Sequence, residues 1–120
     1  MQQINQTITT SGGFTTTTGV IRIKYERGLQ VYDVQKKLTF SVAFYRNAAN
    51  ANALVEDCDI INSVAPKTVY ESQFTIDIVP PINTDLRTIC ENGLVAAIIA
   101  NPPRGVVLQA SDFQFLPDPI

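Results

Sequence analysis

The polar and apolar positions of this chain alternate over long stretches. In Leu38-Thr39-Phe40-Ser41-Val42-Ala43-Phe44-Tyr45-Arg46, Leu38, Phe40, Val42 and Phe44 fall on one face and Thr39, Ser41, Ala43 and Tyr45 on the other. That period of two predicts a strand of an antiparallel sheet with one buried and one open face. Gly19 to Tyr25 alternates in the same way and closes at Arg27-Gly28; Leu29 to Val34 reads as a short strand or a connecting loop. Leu54 to Ile61 predicts another strand, after a polar turn at Asn47 to Asn52. Thr68 to Val79 sets Phe74, Ile76 and Ile78 against Gln73, Thr75 and Asp77, and Pro80-Pro81 ends it, because proline cannot continue the ladder. Ahead of these, Gln2 to Thr18 is Thr-rich with a turn at Ser11-Gly12-Gly13, which predicts a hairpin arm of two thin strands within residues 1–19. The expectation for residues 20–79 is an antiparallel sheet of about five strands.

After Asn83-Thr84 the period changes. Leu86, Ile89, Cys90, Gly93, Leu94, Ala97 and Ile98 follow the spacing of an amphipathic helix, predicted over residues 84–101. Thr84 or Asn83 can cap it, Asp85 suits its first turn, and Pro102-Pro103 stops it. A competing reading breaks the segment at Asn92-Gly93 and makes Leu94 to Ala100 a buried strand. In the tail, residues 104–120, the spacing of Val106, Val107, Leu108, Phe113, Phe115 and Leu116 fits neither period, so a short second helix and an extended arm are both open. The fold class that emerges is α+β, in one domain.

Composition then removes whole classes of function. A chain of 120 residues, 45% hydrophobic, with a mean hydropathy of +0.08, is long and apolar enough to fold around one core. No apolar run approaches the ~18 residues of a membrane helix, and Met1-Gln2-Gln3-Ile4-Asn5 does not read as a signal peptide. With no His and no Trp, the chain has no imidazole for acid–base work or zinc and no indole platform for sugars. Cys58 and Cys90 read as small buried hydrophobes, with a disulfide left open. Asp57 and Asp59 stand beside Glu56 without a His or Lys to divide acid from base roles. The expectation is a protein that is not an enzyme, with no cofactor, metal, membrane or small-molecule partner. The formal charge of -2 lacks the basic excess of an autonomous nucleic-acid binder, whereas a Thr-rich, sparsely charged surface suits burial in an assembly.

Two passages carry a resemblance. The first is Leu38-Thr39-Phe40-Ser41-Val42. The second is Gln73-Phe74-Thr75-Ile76-Asp77-Ile78 followed by Pro80-Pro81, Asn83-Thr84-Asp85, the helix to Ala100, and Asn101-Pro102-Pro103. In this order, behind a Thr-rich hairpin, the chain resembles the coat proteins of single-stranded RNA bacteriophages. The resemblance implies that two chains pair their sheets edge to edge and lay their C-terminal helix or helices over each other's sheet, making an obligate homodimer. Leu86, Ile89, Cys90, Leu94 and Ile98 would then lie in the dimer layer. It further implies a closed icosahedral shell around the genome, in the virion and, during assembly, in the bacterial host cytoplasm.

The other sheet face would look inward at viral RNA. Thr39 and Ser41 match inward-facing positions that in the family contact a stem-loop, Gln73 and Thr75 match inward-facing positions on its last strand, and Tyr45 offers a ring on which a base can stack. Arg22 and Lys24 are the cations that would share that face. Where the family has basic residues on the adjoining strand, this chain has Glu56, Asp57 and Asp59, so shell formation is the firmer expectation and RNA packaging is expected to be weak and salt-sensitive. The alternative reading is a small structural protein of a tailed phage: a decoration, connector or tail component.

Overall fold

Strand β4 (Gly19–Ile23) organises the main sheet. In the computed structural model it pairs antiparallel with β1 (Gln2–Ile4) on one side and β7 (Val42–Tyr45) on the other. β1 also pairs with β9 (Phe113–Phe115), so the four-stranded order is β7-β4-β1-β9. The structure describes residues 1–26, 29–32, 37–56, 61, 74–77 and 85–119, with the backbone alone at 31 and 74–77. Among the described residues there are two smaller sheets: the hairpin of β2 (Ile8–Thr9) and β3 (Thr15–Thr16), and a three-stranded sheet in which β6 (Lys37–Phe40) lies between β5 (Gln30–Tyr32) and β8 (Phe74–Asp77).

The predicted strand Leu38 to Arg46 therefore serves two sheets. It bends at Ser41, giving β6 to one sheet and β7 to the other, while the Lys24 N–H donates to the Ser41 carbonyl at 2.8 Å. Its apolar face behaves as the alternation predicts: Leu38, Phe40, Val42 and Phe44 join one core with Ile4, Ile21 and Ile23. The opposite face is not open. All four residues of β7 are buried, because α1 (Ala48–Asn52) lies over that side and Ala51 packs with Met1, Val20, Ala43 and Tyr45.

That helix corrects the polar turn expected at Asn47 to Asn52. The Asn47 side chain accepts the Asn50 N–H at 2.8 Å, and the small alanines let a very short helix sit close to the sheet. It ends with the Leu54 N–H bonded to the Ala51 carbonyl and the Val55 N–H to the Asn50 carbonyl, a Schellman closure. Leu54 occupies the left-handed position at φ 56, where glycine is usual, at a cost of roughly 1–2 kcal/mol. Residues 54–56 are consequently not the start of a strand; 57–60 lie outside the described residues, and Ile61 forms a bridge with Thr10.

The N-terminal arm is also corrected in part. The hairpin exists, turning at Gly13 with φ +87 and closed by the Thr10 N–H bond to the Phe14 carbonyl at 2.7 Å. Gln2–Ile4, however, is an inner strand of the main sheet, with Ile4 fully buried. Gly19 lets the hairpin seat against the sheet, since a Cβ there would stand 2.8 Å from Ile8 Cδ1 and 3.0 Å from Phe44 Cε2.

The predicted helix is α2 (Leu86–Ala100), and the strand reading of Leu94 to Ala100 falls. Cys90, Leu94 and Ile98 repeat every four residues and enter the core together. Asp85 is the N-cap rather than a first-turn residue, and Asn83 and Thr84 lie outside the described residues. The Asn101 N–H ends the ladder on the Ala97 carbonyl at 2.9 Å, ahead of Pro102-Pro103. The tail is neither a second α-helix nor a free arm. A 3₁₀ turn at Ala110–Asp112 leads into β9, with Gln109 and Asp112 bonded reciprocally as a capping box. The result is a small α+β fold with a four-stranded antiparallel sheet and one main helix.

Candidate functional site

The sheet face expected to meet RNA is largely occupied by the chain itself. Tyr45 is 1% exposed and its hydroxyl accepts from Arg22 Nε at 3.1 Å, so the ring is core and not a stacking platform. Thr39 is buried and Ser41, at the bend, half-buried. Gln73 lies outside the described residues, and Thr75 is described in backbone only, paired with Thr39. The two cations expected there are matched by acids. Arg22 forks onto Glu26 at 3.1 and 3.2 Å, and Lys24 Nζ lies 3.2 Å from Glu56. The bond from Arg22 holds the Glu26 carboxyl below its ordinary range. An acid set against each base leaves this stretch without the local positive excess that phosphate binding requires.

The residues expected in a helix layer over a partner's sheet are likewise accounted for within one chain. Cys90, Leu94 and Ile98 are fully buried against Ile4, Ile21, Leu38 and Phe40. Burial pushes the Cys90 thiol up to about 11, with Glu91 and Asp85 adding to the effect. Ile89 is half-buried, and Leu86, at the helix start, is 39% exposed. The structure thus covers in cis the oily face that the sequence reading left for a partner.

What remains open is the other flank of α2. Between it and β9 runs a groove of about 690 Å³, walled by Val95, Ala96 and Ile99 from the helix and by Phe113 and Phe115 from the strand. Its polar end is built around Glu91. The ammonium of Met1, the Gln2 amide and the Tyr25 hydroxyl all donate to this carboxylate, at 3.2, 3.0 and 3.3 Å. The Arg87 guanidinium stacks over the Tyr25 ring at 4.4 Å and reaches Asp118 at 3.8 Å. Burial raises the Tyr25 phenol above its ordinary value, with the charge of Glu91 adding. Every oxygen of Glu91 is engaged, so it ties α2 to β1 and β4 and is not poised to take or give a proton. Among the described residues no group of three or more His, Cys, Asp or Glu is placed to hold a metal ion, and no helix is long and apolar enough to cross a membrane.

Among the described residues the sheet ends at β9, beside the groove. The Met1–Leu116 pair exchanges both backbone bonds, at 3.0 and 2.9 Å, and the Asn5 N–H reaches the Asp112 carbonyl at 2.8 Å. In an antiparallel ladder the intervening Gln2–Phe115 and Ile4–Phe113 pairs then direct their backbone groups away from each other. On β9 these groups face the outer edge. The Phe113 N–H turns back to the Ala110 carbonyl, while the Phe115 N–H and the carbonyls of Phe113 and Phe115 meet no partner among the described residues. Phe115 is 62% exposed and Val107 91%. Sequence reasoning missed this edge, although Phe113-Gln114-Phe115 alternates and Pro117 and Pro119 bound it, because three residues carry too little periodicity. No protein-family model, curated protein or solved structure matches the chain.

Proposed function

We propose that this chain is a structural virion protein: a coat protein that assembles with copies of itself into a closed shell around a single-stranded RNA genome. The observation that carries the reading is the β9 edge, which among the described residues pairs with β1 alone, and its exposed Phe115 beside an apolar groove. β9 is short and bounded by Pro117 and Pro119, but Phe113-Gln114-Phe115 carries no charge, and an apolar edge is suited to pairing with another chain. The order of elements, with a Thr-rich hairpin, antiparallel strands and then a helix ended by Asn101-Pro102-Pro103, supports the same reading. Assembly takes place in the bacterial host cytoplasm and the shell is the virion. RNA enters as packaged genome rather than through a stem-loop site, because Tyr45 is core and Arg22 and Lys24 are paired with acids.

One observation favours the second reading, a decoration, connector or tail component of a tailed phage. α2 covers the core of its own chain, so folding does not require a partner to bury the oily face. Size-exclusion chromatography with negative-stain microscopy separates the two. Uniform particles formed by the purified chain alone are the expected result. A stable monomer at high concentration would overturn the coat reading, and capture of that monomer on preformed phage shells would establish the other.

A further inference from the structure

We propose that the groove between α2 and β9 is a binding site for an amphipathic organic cation: an ammonium group carried on an aliphatic or aromatic body. The inference goes beyond the virion reading and does not depend on it. Along the helix the groove is lined by Asp85, Thr88, Asn92, Val95, Ala96 and Ile99. The steps from Asp85 through Thr88, Asn92 and Val95 to Ile99 are three or four residues, so these positions share one face of α2. That face is polar towards the helix start and apolar towards its end. Phe113 and Phe115 of β9 form the facing wall. A cavity of about 690 Å³ lies within the range of roughly 300–1,000 Å³ found for small-molecule sites, which combine apolar walls with a few placed polar groups.

The charge of the ligand follows from the acid that is left over. At the polar end the carboxylates of Asp85, Glu91 and Asp118 stand against two cations, Arg87 and the Met1 ammonium. Both cations are engaged. Met1 lies 3.2 Å from Glu91 and 2.9 Å from Asp118, and Arg87 is stacked on Tyr25 and directed to Asp118 at 3.8 Å. Glu91 also accepts from Gln2 and Tyr25. Asp85 is exposed and its side chain makes no cap bond to the helix; among the described residues its carboxylate has no ion pair or hydrogen bond. An anionic head would meet this surplus acid and find each cation already matched. The positive pole of α2 favours an anion there, but it amounts to only about half a charge. An ammonium would instead pair with Asp85 and donate to the Thr88 hydroxyl and the Asn92 carbonyl, both exposed on the same face. Its body would lie along Val95, Ala96 and Ile99 against the two phenylalanines, out of water.

Titration calorimetry at low ionic strength with octylammonium, octanoate and octanol, three probes of one length, tests the site on the purified chain in whatever assembly it forms. Octylammonium is expected to bind about three- to fivefold more tightly than octanol, and octanoate more weakly than either. Asp85→Asn keeps the side chain's size and is expected to bring octylammonium down to the affinity of octanol while leaving octanol unchanged. Ala96→Phe fills the groove from an exposed helix position and is expected to weaken both probes by about tenfold or more, with an unchanged melting temperature. Ala96→Leu gives the same reading should the ring disturb the fold. Octanoate binding tightest would hand the polar end to Arg87 and overturn the cation. Equal binding of all three, unmoved by Asp85→Asn, would do the same, leaving an apolar groove without a head-group site. Binding that survives both Ala96 variants would place the probes elsewhere on the molecule, and no binding of any probe would overturn the site altogether. Particle formation enters none of these outcomes, so the virion reading stands or falls separately, by chromatography and microscopy.

Discussion

At one margin of the four-stranded sheet, β7 is buried at all four residues, between the α2-backed core and the small cluster under α1. At the other, β9 is three residues long, Gln114 and Phe115 are exposed, and the outward backbone groups meet no partner among the described residues. The same antiparallel ladder thus ends in two opposite ways. The buried margin holds large side chains with little room to change, and it sets stability. The bare margin contributes little to the core, so it is free to change and to bind. A small domain can divide these duties between its two sheet ends because burial is local, whereas an unpaired ladder edge invites only a partner that continues it.

That contrast yields predictions of decreasing size. Leu94→Asp places an unpaired charge at a fully buried position of the α2-backed core and is expected to abolish soluble folded protein, a loss of at least about 4 kcal/mol. Soluble mutant with wild-type circular dichroism would show that the core is not where α2 packs. Glu91→Ala strips the Gln2 amide of its acceptor and removes one acceptor each from Tyr25 and from Met1, which keeps Leu116 and Asp118. Urea unfolding should read a loss of roughly 1–3 kcal/mol. Glu91→Gln, which keeps an acceptor oxygen, should recover part of it.

Gly19→Ala tests how tightly the hairpin seats on the buried margin. The added Cβ must displace Ile8 and Phe44, and overpacking of this kind costs about 1–3 kcal/mol. The alkaline limb of stability tests α2 and the polar end of the groove. Cys90 is raised from 9.0 to about 11 in the fold, and Tyr25 is raised above 10.0, so both hold their protons more tightly folded than unfolded. Their contribution is therefore complete below pH 9 and is lost as pH rises from 9 towards 11 and beyond. Thermal melts across that range should fall steadily, and Tyr25→Phe should flatten the upper part. The smallest effect on folding belongs to Phe115→Ser, expected within about 1 kcal/mol of wild type because the ring is mostly exposed. It should nonetheless reduce self-association in sedimentation velocity, and a variant that associates as the parent does would remove the ring from the contact.

Much of the fold is legible where side chains repeat over many residues. Leu38, Phe40, Val42 and Phe44 alternate into the core, and Cys90, Leu94 and Ile98 mark the buried stripe of a helix before any coordinates are considered. The errors fall where an element is short or polar. Gln2–Ile4 reads as part of an arm, yet it is an inner strand because Gln2 satisfies its polar group on Glu91. Asn47 to Asn52 reads as a turn, yet Asn47 caps a five-residue helix. Tyr45, a candidate base platform, is core for a related reason. Alternation tells which positions share a face, but not whether another element covers it, and α1 buries Tyr45.

Composition and period by themselves determined the class: one α+β domain, without imidazole, with antiparallel strands followed by a helix that proline stops at Ala100. These are local properties, written in neighbouring residues and independent of what lies across the molecule. The tertiary structure alone decided which surfaces remain. It closed the oily face with α2, closed the opposite face with α1, matched Arg22 and Lys24 with acids, and left β9, among the described residues, paired on one side alone. Those outcomes depend on contacts between residues up to 117 positions apart, such as Met1 with Asp118, and no period along the chain encodes them.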